Sequence, residues 1–357
     1  MSELNNLQTL LQAIRPPEEA ARAAAQKRWA ACAKPLGSLG LLEERISEIA
    51  ALTGTDEVKL SPRTVLVLCA DNGVVAQGVS QSGSEVTGIV AHALAAGKSN
   101  VCRMAALAHC RVLPVDMGIR DFTPDAGVYA NRIGNGTADM TQGPAMTRAQ
   151  AGQAILAGVA LVRRQKQEGV HLLATGEMGI GNTTTATAVA CTLLQRSPQE
   201  LTGRGAGLSD AGLARKRRAI ETALAVNQPD ATDPVDVLAK VGGFDLAGLC
   251  GVFLGGAYYR VPVLVDGAIS AAAALCAVRL CPAANAAVFA SHQSAEPAGE
   301  LLLQALGKKP LLTAGMRLGE GTGAVAVMPI LDMALAIYHG STFSDYGMQP
   351  YTPQGGR

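Results

Sequence analysis

The sequence predicts an α/β fold in which a parallel β-sheet is flanked by helices. From residue 64 onward, short apolar runs alternate with longer segments of helical length, which is the pattern of strands joined by crossover helices. Hydrophobic residues make up 48% of the chain and aromatic residues only 3%, so most of the core is made of small aliphatic side chains. The 40 glycines cluster between the apolar runs, as tight strand-to-helix turns require.

The chain has 357 residues, more than one hydrophobic core usually holds, so we expect two structural units. The first 60 residues are predicted to be helical, with a break at residues 34–40 (KPLGSLG), and to form a small domain. Residues 61–340 carry the strand and helix alternation and form the large domain. Residues 347–357 are predicted to be a loose tail.

The elements of the large domain follow from the apolar pattern in chain order. Strands are predicted at residues 64–70, 111–115, 170–174, 261–265 and 286–290. Helices are predicted at residues 85–108, 149–167, 183–195, 208–227, 246–259, 269–280, 295–306 and 321–338, the last one despite Pro329. In open parallel sheets, ligands bind at the carboxyl ends of the strands, so the functional residues are expected there.

Charge and cysteine content exclude several classes of function. A formal net charge of +1 gives no reason to expect nucleic acid or an anionic membrane surface as a partner. No apolar run is long enough to span a bilayer and no secretory signal pattern precedes the first helix, so we expect a cytoplasmic protein. The eight cysteines include no Cys-x-x-Cys pair, which favours buried thiols over disulfides or zinc ligands.

Four predicted strands are followed by an acidic residue close to a glycine. These residues are Asp71, Asp116, Glu177 and Asp266. Because the carboxyl ends of parallel strands lie at one edge of the sheet, we expect the four acids to converge on one polar cleft. The alternative is that each acid only caps a helix or braces a loop.

Two glycine-rich loops are candidates for binding a phosphate. Residues 176–185 (GEMGIGNTTT) leave a strand and enter a helix, where free N–H groups and the helix dipole attract an anion. The loop is neither a P-loop nor a dinucleotide fingerprint, because its glycine spacing is wrong for both. The second loop, residues 203–209, precedes the basic run 215–218 (RKRR), from which one or two cations are expected to reach a phosphate.

Glu320 is the candidate catalytic carboxylate. It lies between two glycines in residues 316–324 (MRLGEGTGA), just before a strongly apolar helix. Partial burial there raises the pKa of a carboxylate towards neutrality, as a general base requires, although a helix cap is an equal alternative. His292 follows a predicted strand and is placed to line the cleft, or to be a structural histidine.

Five sequence segments together resemble the nicotinate-nucleotide:dimethylbenzimidazole phosphoribosyltransferase family, in the same order and over nearly the whole chain. They are residues 34–40 (KPLGSLG), 69–74 (CADNGV), 176–184 (GEMGIGNTT), 240–245 (KVGGFD) and 316–323 (MRLGEGTG). The resemblance implies a homodimer with a large Rossmann-like domain and a small helical domain formed from both chain ends. It also implies transfer of ribose 5-phosphate from nicotinate mononucleotide to an azole base, giving the α-ribazole phosphate of cobamides, without a cofactor or metal ion.

The resemblance also implies roles for individual residues. Glu320 matches the family's catalytic glutamate, which takes the N–H proton of the azole. The base is expected near Ser80, Gly88 and Leu318, and the ribose phosphate near Glu177, Gly179, Gly205, Gly207 and Lys216. Gly88 stands where the family commonly has a glutamine near the base. The acceptor therefore stays open among substituted benzimidazoles, adenine and phenols.

Two other functions compete with this interpretation. A metal-dependent phosphotransferase or hydrolase would use Asp71, Asp116, Glu177 and Asp266 to hold magnesium, and chelator would then abolish its activity. A non-catalytic nucleotide-binding protein would bind a mononucleotide in its glycine loops without turnover, and its Glu320 would only cap a helix.

Overall fold

The computed structural model describes residues 7–352, which contain a six-stranded sheet. The strands are β1 (Arg63–Ala70), β2 (Arg111–Gly118), β3 (Tyr129–Ala130), β4 (Leu172–Met178), β5 (Val263–Val265) and β6 (Val288–Ala290). Their order across the sheet is β3-β2-β1-β4-β5-β6, and all neighbouring strands are parallel. This is the strand order of a doubly wound Rossmann-type sheet, so the predicted fold class is confirmed.

Helices surround the sheet and also precede it. They are α1 (Leu7–Ala13), α2 (Glu19–Ala31), α3 (Leu41–Thr53), α4 (Glu85–Ala95), α5 (Asn100–Leu107), α6 (Arg148–Gln167), α7 (Asn182–Leu194), α8 (Pro198–Leu201), α9 (Asp210–Asn227), α10 (Pro234–Val241), α11 (Phe244–Tyr259), α12 (Ala268–Leu280), α13 (Ala298–Ala305) and α14 (Thr322–Tyr338). Pro329 lies inside α14 without ending it, as predicted. No helix of residues 7–352 is both long and apolar enough to cross a membrane.

The prediction of a single helix over residues 85–108 is wrong, because α4 and α5 are separate. Gly97 has a left-handed backbone with φ +70°, which ends the first helix. The Ser99 hydroxyl then accepts a hydrogen bond from the backbone N–H of Cys102 and starts the second helix. Residues 97–100 (GKSN) contain these stop and start signals, and the prediction of one helix followed the apolar residues on either side instead.

The observed strands differ from the predicted ones mainly at their ends. β2 and β4 continue beyond the predicted apolar runs, so Asp116 and Glu177 lie within strands rather than after them. The short elements β3, α8 and α10 were not predicted, because so few residues show no periodicity. The carboxyl ends of β1, β2, β4, β5 and β6 still lie within a few residues of their predicted positions.

Helices α6 and α11 pack with their backbones in close approach. A Cβ atom at Gly158 would overlap the carbonyl oxygen of Gly248, and one at Gly251 would overlap the carbonyl oxygen of Ile155. Glycine is therefore required on both helices at their crossing. The close approach lets α11 lie buried beside the sheet, where it supports β1 and β4 from one side.

The two ends of the described chain contact each other. The rings of Trp29 and Tyr338 are 4.9 Å apart, the Arg28 guanidinium donates to the Tyr338 carbonyl oxygen, and the Ala33 N–H donates to the Ser341 carbonyl oxygen. The buried apolar residues of these helices continue into the core of the sheet. The two ends therefore pack together and against the core of the sheet, while a separate small helical domain and its boundary stay predictions. Of the predicted tail, residues 348–352 have no helix or strand, and residues 353–357 lie outside the described residues.

Candidate active site

A cavity of about 280 Å³ opens at the carboxyl ends of the strands, beside the point where the strand order reverses between β1 and β4. Its walls come from residues 79–81 after β1, 177–183 at the end of β4, 266–269 after β5 and 317–320 before α14. His292, which follows β6, also lines it. Ligands of open α/β sheets bind at this switch point, so the cavity is the candidate active site.

A buried lysine and a helix N-terminus meet at one part of the cavity. The Lys216 side chain is 1% exposed, and its Nζ donates to the Thr183 hydroxyl at 2.8 Å. Thr183 belongs to the first turn of α7. A Cβ atom at Gly205 would lie 3.2 Å from the Thr183 hydroxyl and 3.5 Å from Lys216 Nζ. The second glycine loop therefore reaches the same point, which suits an anionic group.

Burial lowers the pKa of Lys216 to about 8, and the negative charge of Glu296 partly offsets this effect. The other cations of the run 215–218 point elsewhere. Arg215 donates to the Gly78 carbonyl oxygen and Arg217 to the Gln199 carbonyl oxygen. Of the four cations in this run, only Lys216 lines the cavity. This agrees with the prediction that one or two of them would reach a phosphate.

Glu177 lies at the end of β4 and lines the cavity beside a second buried acid. The Asn182 side-chain amide donates to the Glu177 carboxylate and also to Asp245 Oδ2, at 3.1 Å in the second case. Burial raises the pKa of Asp245 to about 6 and the pKa of Glu177 well above its ordinary value. The charges of neighbouring acids raise the Glu177 pKa further. Both carboxyl groups therefore hold their protons more tightly than exposed acids do.

Glu320 lies in an unusual turn that precedes α14. Its φ is +60°, and those of Gly319 and Gly321 are +87° and +95°, so three successive residues are left-handed. The Glu320 carboxylate accepts a hydrogen bond of 3.4 Å from the Val101 N–H in the first turn of α5. It caps a distant helix rather than its own. Burial raises its pKa, while the Val101 hydrogen bond lowers it by less.

Two residues that follow β5 and β6, Asp266 and His292, contact the backbone next to the Glu320 turn. The Asp266 carboxylate accepts hydrogen bonds from the N–H groups of Gly321, Gly323 and Ala324, at 3.2, 2.7 and 3.1 Å. The His292 ring lies so close to Gly323 that any side chain there would overlap it. Burial lowers the pKa of His292 and raises that of Asp266. For His292 burial is the larger effect, and the negative charge of Asp266 opposes it.

The prediction that four strand-end acids meet in one cleft is wrong for two of them. Asp71 accepts hydrogen bonds from the Thr87 hydroxyl at 2.7 Å and the Arg120 N–H at 2.8 Å. Asp116 pairs with Arg132 at 3.0 Å. Both acids are buried away from the cavity walls and brace neighbouring loops. Across residues 7–352, no three His, Cys, Asp or Glu side chains are grouped so that they could hold a metal ion.

Most of the predicted site residues line the cavity. They are Ser80, Glu177, Gly179, Gly205, Lys216, Leu318 and Glu320. Gly88 and Gly207 lie outside the lining. A Cβ atom at Gly88 would lie 3.1 Å from the Phe122 ring, and the Gly207 carbonyl oxygen accepts a hydrogen bond from the Gln81 side chain. The structure gives positions to all nine residues, while their roles remain predictions.

Several cavity residues were missed by the sequence analysis. They are Asn182, Thr183, Arg204, Glu296 and Arg317. Asn182 and Thr183 belong to the first glycine loop, and the two arginines belong to the other glycine-rich segments. These four residues could have been predicted, because each is a polar side chain inside a glycine-rich segment. Glu296 follows β6 without such a signal.

A Rossmann-type sheet, a cavity at its switch point and a buried lysine at a helix N-terminus are typical of α/β enzymes that act on phosphorylated substrates. Comparison with known proteins defines the group more closely. Residues 14–348 match the family model described as Phosphoribosyltransferase (DBI_PRT). The chain therefore belongs to this phosphoribosyltransferase family.

Curated relatives and solved structures agree with this assignment. The chain is 44% identical over 330 residues to the nicotinate-nucleotide–dimethylbenzimidazole phosphoribosyltransferase of Acetivibrio thermocellus, covering 92% of this chain and 94% of the relative. It is 46% identical over 337 residues to the enzyme of the same name from Roseiflexus sp., covering 94% and 96%. The crystal structure of CobT from Thermus thermophilus superposes with a TM-score of 0.88 at 41% identity, covering 92% of this chain and 99% of that one.

Proposed function

We propose that this chain transfers ribose 5-phosphate from nicotinate mononucleotide to 5,6-dimethylbenzimidazole or a related lower-ligand base, giving α-ribazole 5′-phosphate and nicotinate. The observation that carries the proposal is the cavity, which joins a buried cation at a helix N-terminus to the carboxylates of Glu177 and Glu320. The names of full-length relatives support the same substrates. The product then enters assembly of the cobamide nucleotide loop.

The proposed reaction breaks one bond to the ribose C1 carbon and forms another. The unprotonated azole nitrogen attacks C1, while the bond from C1 to the cationic pyridinium nitrogen breaks and nicotinate leaves with the electron pair. The configuration inverts from β to α. The leaving group needs no proton, but the azole must lose its N–H proton to become neutral. Catalytic help is therefore needed at the nucleophile.

Glu320 is the proposed acceptor of that proton. It lines the cavity, and burial raises the pKa of its carboxyl group, which makes it a stronger base than an exposed glutamate. General-base assistance is typically worth about a hundredfold to ten-thousandfold in rate. Fixing both substrates in one cavity supplies much of the remaining acceleration.

The ribose phosphate is assigned to the part of the cavity around Lys216. We assign its oxygen atoms to the Lys216 ammonium and to the backbone N–H groups near Gly179 and Gly205, with Gly207 supporting the second loop through its contact with Gln81. Glu177 is placed beside the ribose. A dianionic phosphate stabilises the charged form of the buried lysine, so the ligand and the ammonium group stabilise each other.

The base is assigned to the part of the cavity that Ser80 and Leu318 line. Gly88 lies outside the cavity lining, and a Cβ atom there would meet the Phe122 ring at 3.1 Å. Leu318 offers an apolar contact to a flat ring, and Ser80 offers a hydroxyl group. We propose 5,6-dimethylbenzimidazole as the first base to test, followed by benzimidazole, adenine and phenol.

The experiment incubates the purified protein with nicotinate mononucleotide and 5,6-dimethylbenzimidazole in the presence of EDTA, and separates the products by chromatography with mass detection. An α-linked riboside phosphate and an equal amount of nicotinate are expected. Activity that appears only with magnesium would instead support the metal-dependent alternative. Tight mononucleotide binding without product, for every base tried, would support a non-catalytic binding protein.

The homodimer and the cytoplasmic location belong to the same proposal. α5 and α14 pack against each other, and they carry exposed apolar side chains: Leu107 is 83% exposed, Met333 66% and Ile337 42%. A surface of this kind is typical of a protein interface. We expect light scattering during gel filtration to give twice the chain mass of 36.6 kDa. Met333→Asp should shift the mass towards that of one chain, and a wild-type protein of single-chain mass would contradict the dimer.

A further inference from the structure

The turn that carries Glu320 does not follow from local backbone preferences. A left-handed conformation is unfavourable for a residue with a side chain, and Glu320 adopts it between two glycines that are also left-handed. Within the turn, the Thr322 N–H and hydroxyl bond back to the Gly319 carbonyl oxygen, at 3.0 and 2.8 Å. Neither bond involves Glu320, whose carboxylate is held by the Val101 N–H of α5 and the Ser99 side chain, so the backbone of the turn needs support from elsewhere in the chain.

Asp266 provides that support from the end of β5. Its Oδ2 accepts from the Gly321 N–H, the amide directly after Glu320, and its Oδ1 accepts from Gly323 and Ala324. The Asp266 side chain is almost fully buried, so water does not compete strongly for these bonds. A buried carboxylate that accepts three N–H groups forms a strong and directional clamp.

The end of β4 completes the clamp. The Asp266 N–H donates to the Thr175 hydroxyl at 3.2 Å, which fixes the backbone of the aspartate. At the next residue, a Cβ atom on Gly176 would lie 2.5 Å from the Glu320 carbonyl oxygen. The Glu320 turn thus rests directly on β4 while Asp266 holds it from β5.

We propose that Asp266 is a positioning residue, whose carboxylate holds the left-handed turn and so aims Glu320 at the reacting base. The inference rests on the proposed function, because it assigns to Asp266 the geometry of the proposed general base. Asp266 acts through Glu320 and moves no proton itself. Its three acceptor contacts, rather than its charge alone, produce the effect.

Asp266→Asn is the sharpest test, because asparagine has one acceptor oxygen where aspartate has two. The amide oxygen can still accept from Gly323 and Ala324, but its NH₂ group then faces the Gly321 N–H and the bond next to Glu320 is lost. We expect kcat to fall by at least about tenfold, while KM for nicotinate mononucleotide changes by less than about threefold.

Asp332→Asn, in α14 after the Glu320 turn, is the matched control. Asp332 forms a two-bond ion pair with Arg63, at 2.8 and 2.7 Å, far along α14 from the turn. This variant should lower thermal stability without lowering kcat. If Asp266→Asn retains kcat within about twofold of the wild type, or if the control lowers kcat equally, the positioning role is wrong.

A double variant shows whether Asp266 acts through Glu320. In the Glu320→Gln background, Asp266→Asn should lower the residual kcat by less than about twofold, because the group that it positions is already inactive. Equal losses in both backgrounds would overturn the proposal. Asp266→Glu, which keeps the charge but moves it by one methylene, serves as the second variant if Asp266→Asn does not fold, and the same kcat loss is expected.

Hydrogen exchange separates this inference from the proposed reaction. Amides of residues 319–324 should exchange faster in Asp266→Asn than in the wild type, and at the wild-type rate in Asp332→Asn. Unchanged exchange in this segment would overturn the clamp. A wild-type enzyme that makes no riboside phosphate would overturn the proposed function alone, because the exchange measurement does not depend on turnover.

Discussion

Glu320 has a strained, left-handed backbone and a partly buried carboxylate. Both features cost stability, and strained residues cluster at functional sites because the surrounding structure can hold them there. The carboxylate contacts the first turn of α5, so two helices contribute to its position. A residue that only capped a helix would need neither the left-handed turn nor a place on the cavity wall.

Glu320→Gln should leave folding intact and remove most turnover with benzimidazoles. Without the base, we expect kcat to fall by about a hundredfold or more. Burial raises the Glu320 pKa, so wild-type kcat should rise with pH as this carboxyl group loses its proton. The variant should lack that rise, as a pH profile of initial rates will show.

Glu300→Gln, at an exposed position of α13 outside the cavity, is the matched control. Nearly unchanged turnover in Glu320→Gln would contradict its role as base.

Lys216→Gln should weaken binding of nicotinate mononucleotide more than it slows chemistry. We expect KM for this substrate to rise by about tenfold to a hundredfold, because a charge-assisted contact to phosphate is lost. The Lys216 pKa is about 8, so the wild-type KM should also rise as pH increases beyond this value and the ammonium group loses its proton. Arg218→Gln, on the same helix but exposed and outside the cavity, should leave KM unchanged in steady-state kinetics.

At the scale of elements, the junction of β4 and α7 depends on the absence of side chains. A Cβ atom at Gly179 would overlap the Ala70 carbonyl oxygen at the end of β1. At Gly181, φ is +94° and a Cβ atom would lie 2.9 Å from the Val75 side chain. Glycine lets this loop cross β1 closely enough to bring the N-terminus of α7 to the cavity.

Gly179→Ala should therefore displace the loop and destabilise the protein. Since backbone rather than a flexible side chain opposes the new methyl group, we expect a loss of about 1–3 kcal/mol in the free energy of unfolding and a clear loss of activity. Gly152→Ala in α6 is the matched control, because a Cβ atom there meets nothing within 4 Å. It should stabilise the helix by up to about 1 kcal/mol in urea unfolding. Equal stabilities of the two variants would contradict this account of the loop.

At the scale of the whole molecule, the site concentrates acids that are buried on folding. Asp245, Glu177, Asp266 and Glu320 all have pKa values raised mainly by burial. A carboxyl group whose pKa is raised on folding stabilises the protein below its unfolded pKa, and this stabilisation is lost as pH rises through the folded value. The site thus lowers stability at neutral pH.

Asp245→Asn should reduce this pH dependence. The Asp245 pKa is raised from 3.8 to about 6, so its contribution falls by about 3 kcal/mol as pH increases between these values. Urea unfolding at pH 4.5 and 7.5 should show a smaller loss of stability in the variant than in the wild type. The same loss in both proteins would mean that Asp245 does not hold its proton more tightly when folded.

Features that depend on residues close together in the sequence were predicted better than features that depend on residues far apart in it. The parallel sheet, most helices and the glycine loops were predicted, because periodicity and glycine spacing are local. The break between α4 and α5 is an exception, because its signals in residues 97–100 (GKSN) are local but the prediction followed the apolar pattern on either side of them. Asp71 and Asp116 looked equivalent to Glu177 and Asp266 in sequence, since each follows or ends an apolar run.

The sequence by itself determined the fold class, the family resemblance and the segments that carry the site. Tertiary structure alone decided which acids reach the cavity, which of four neighbouring cations turns inward, and that the Glu320 carboxylate contacts the first turn of α5. It also brought Asp266 under the Glu320 turn, where it bonds to an amide 55 positions further along the chain. These outcomes depend on how strands and helices pack in space, and local sequence patterns hold no information about partners that meet only after folding.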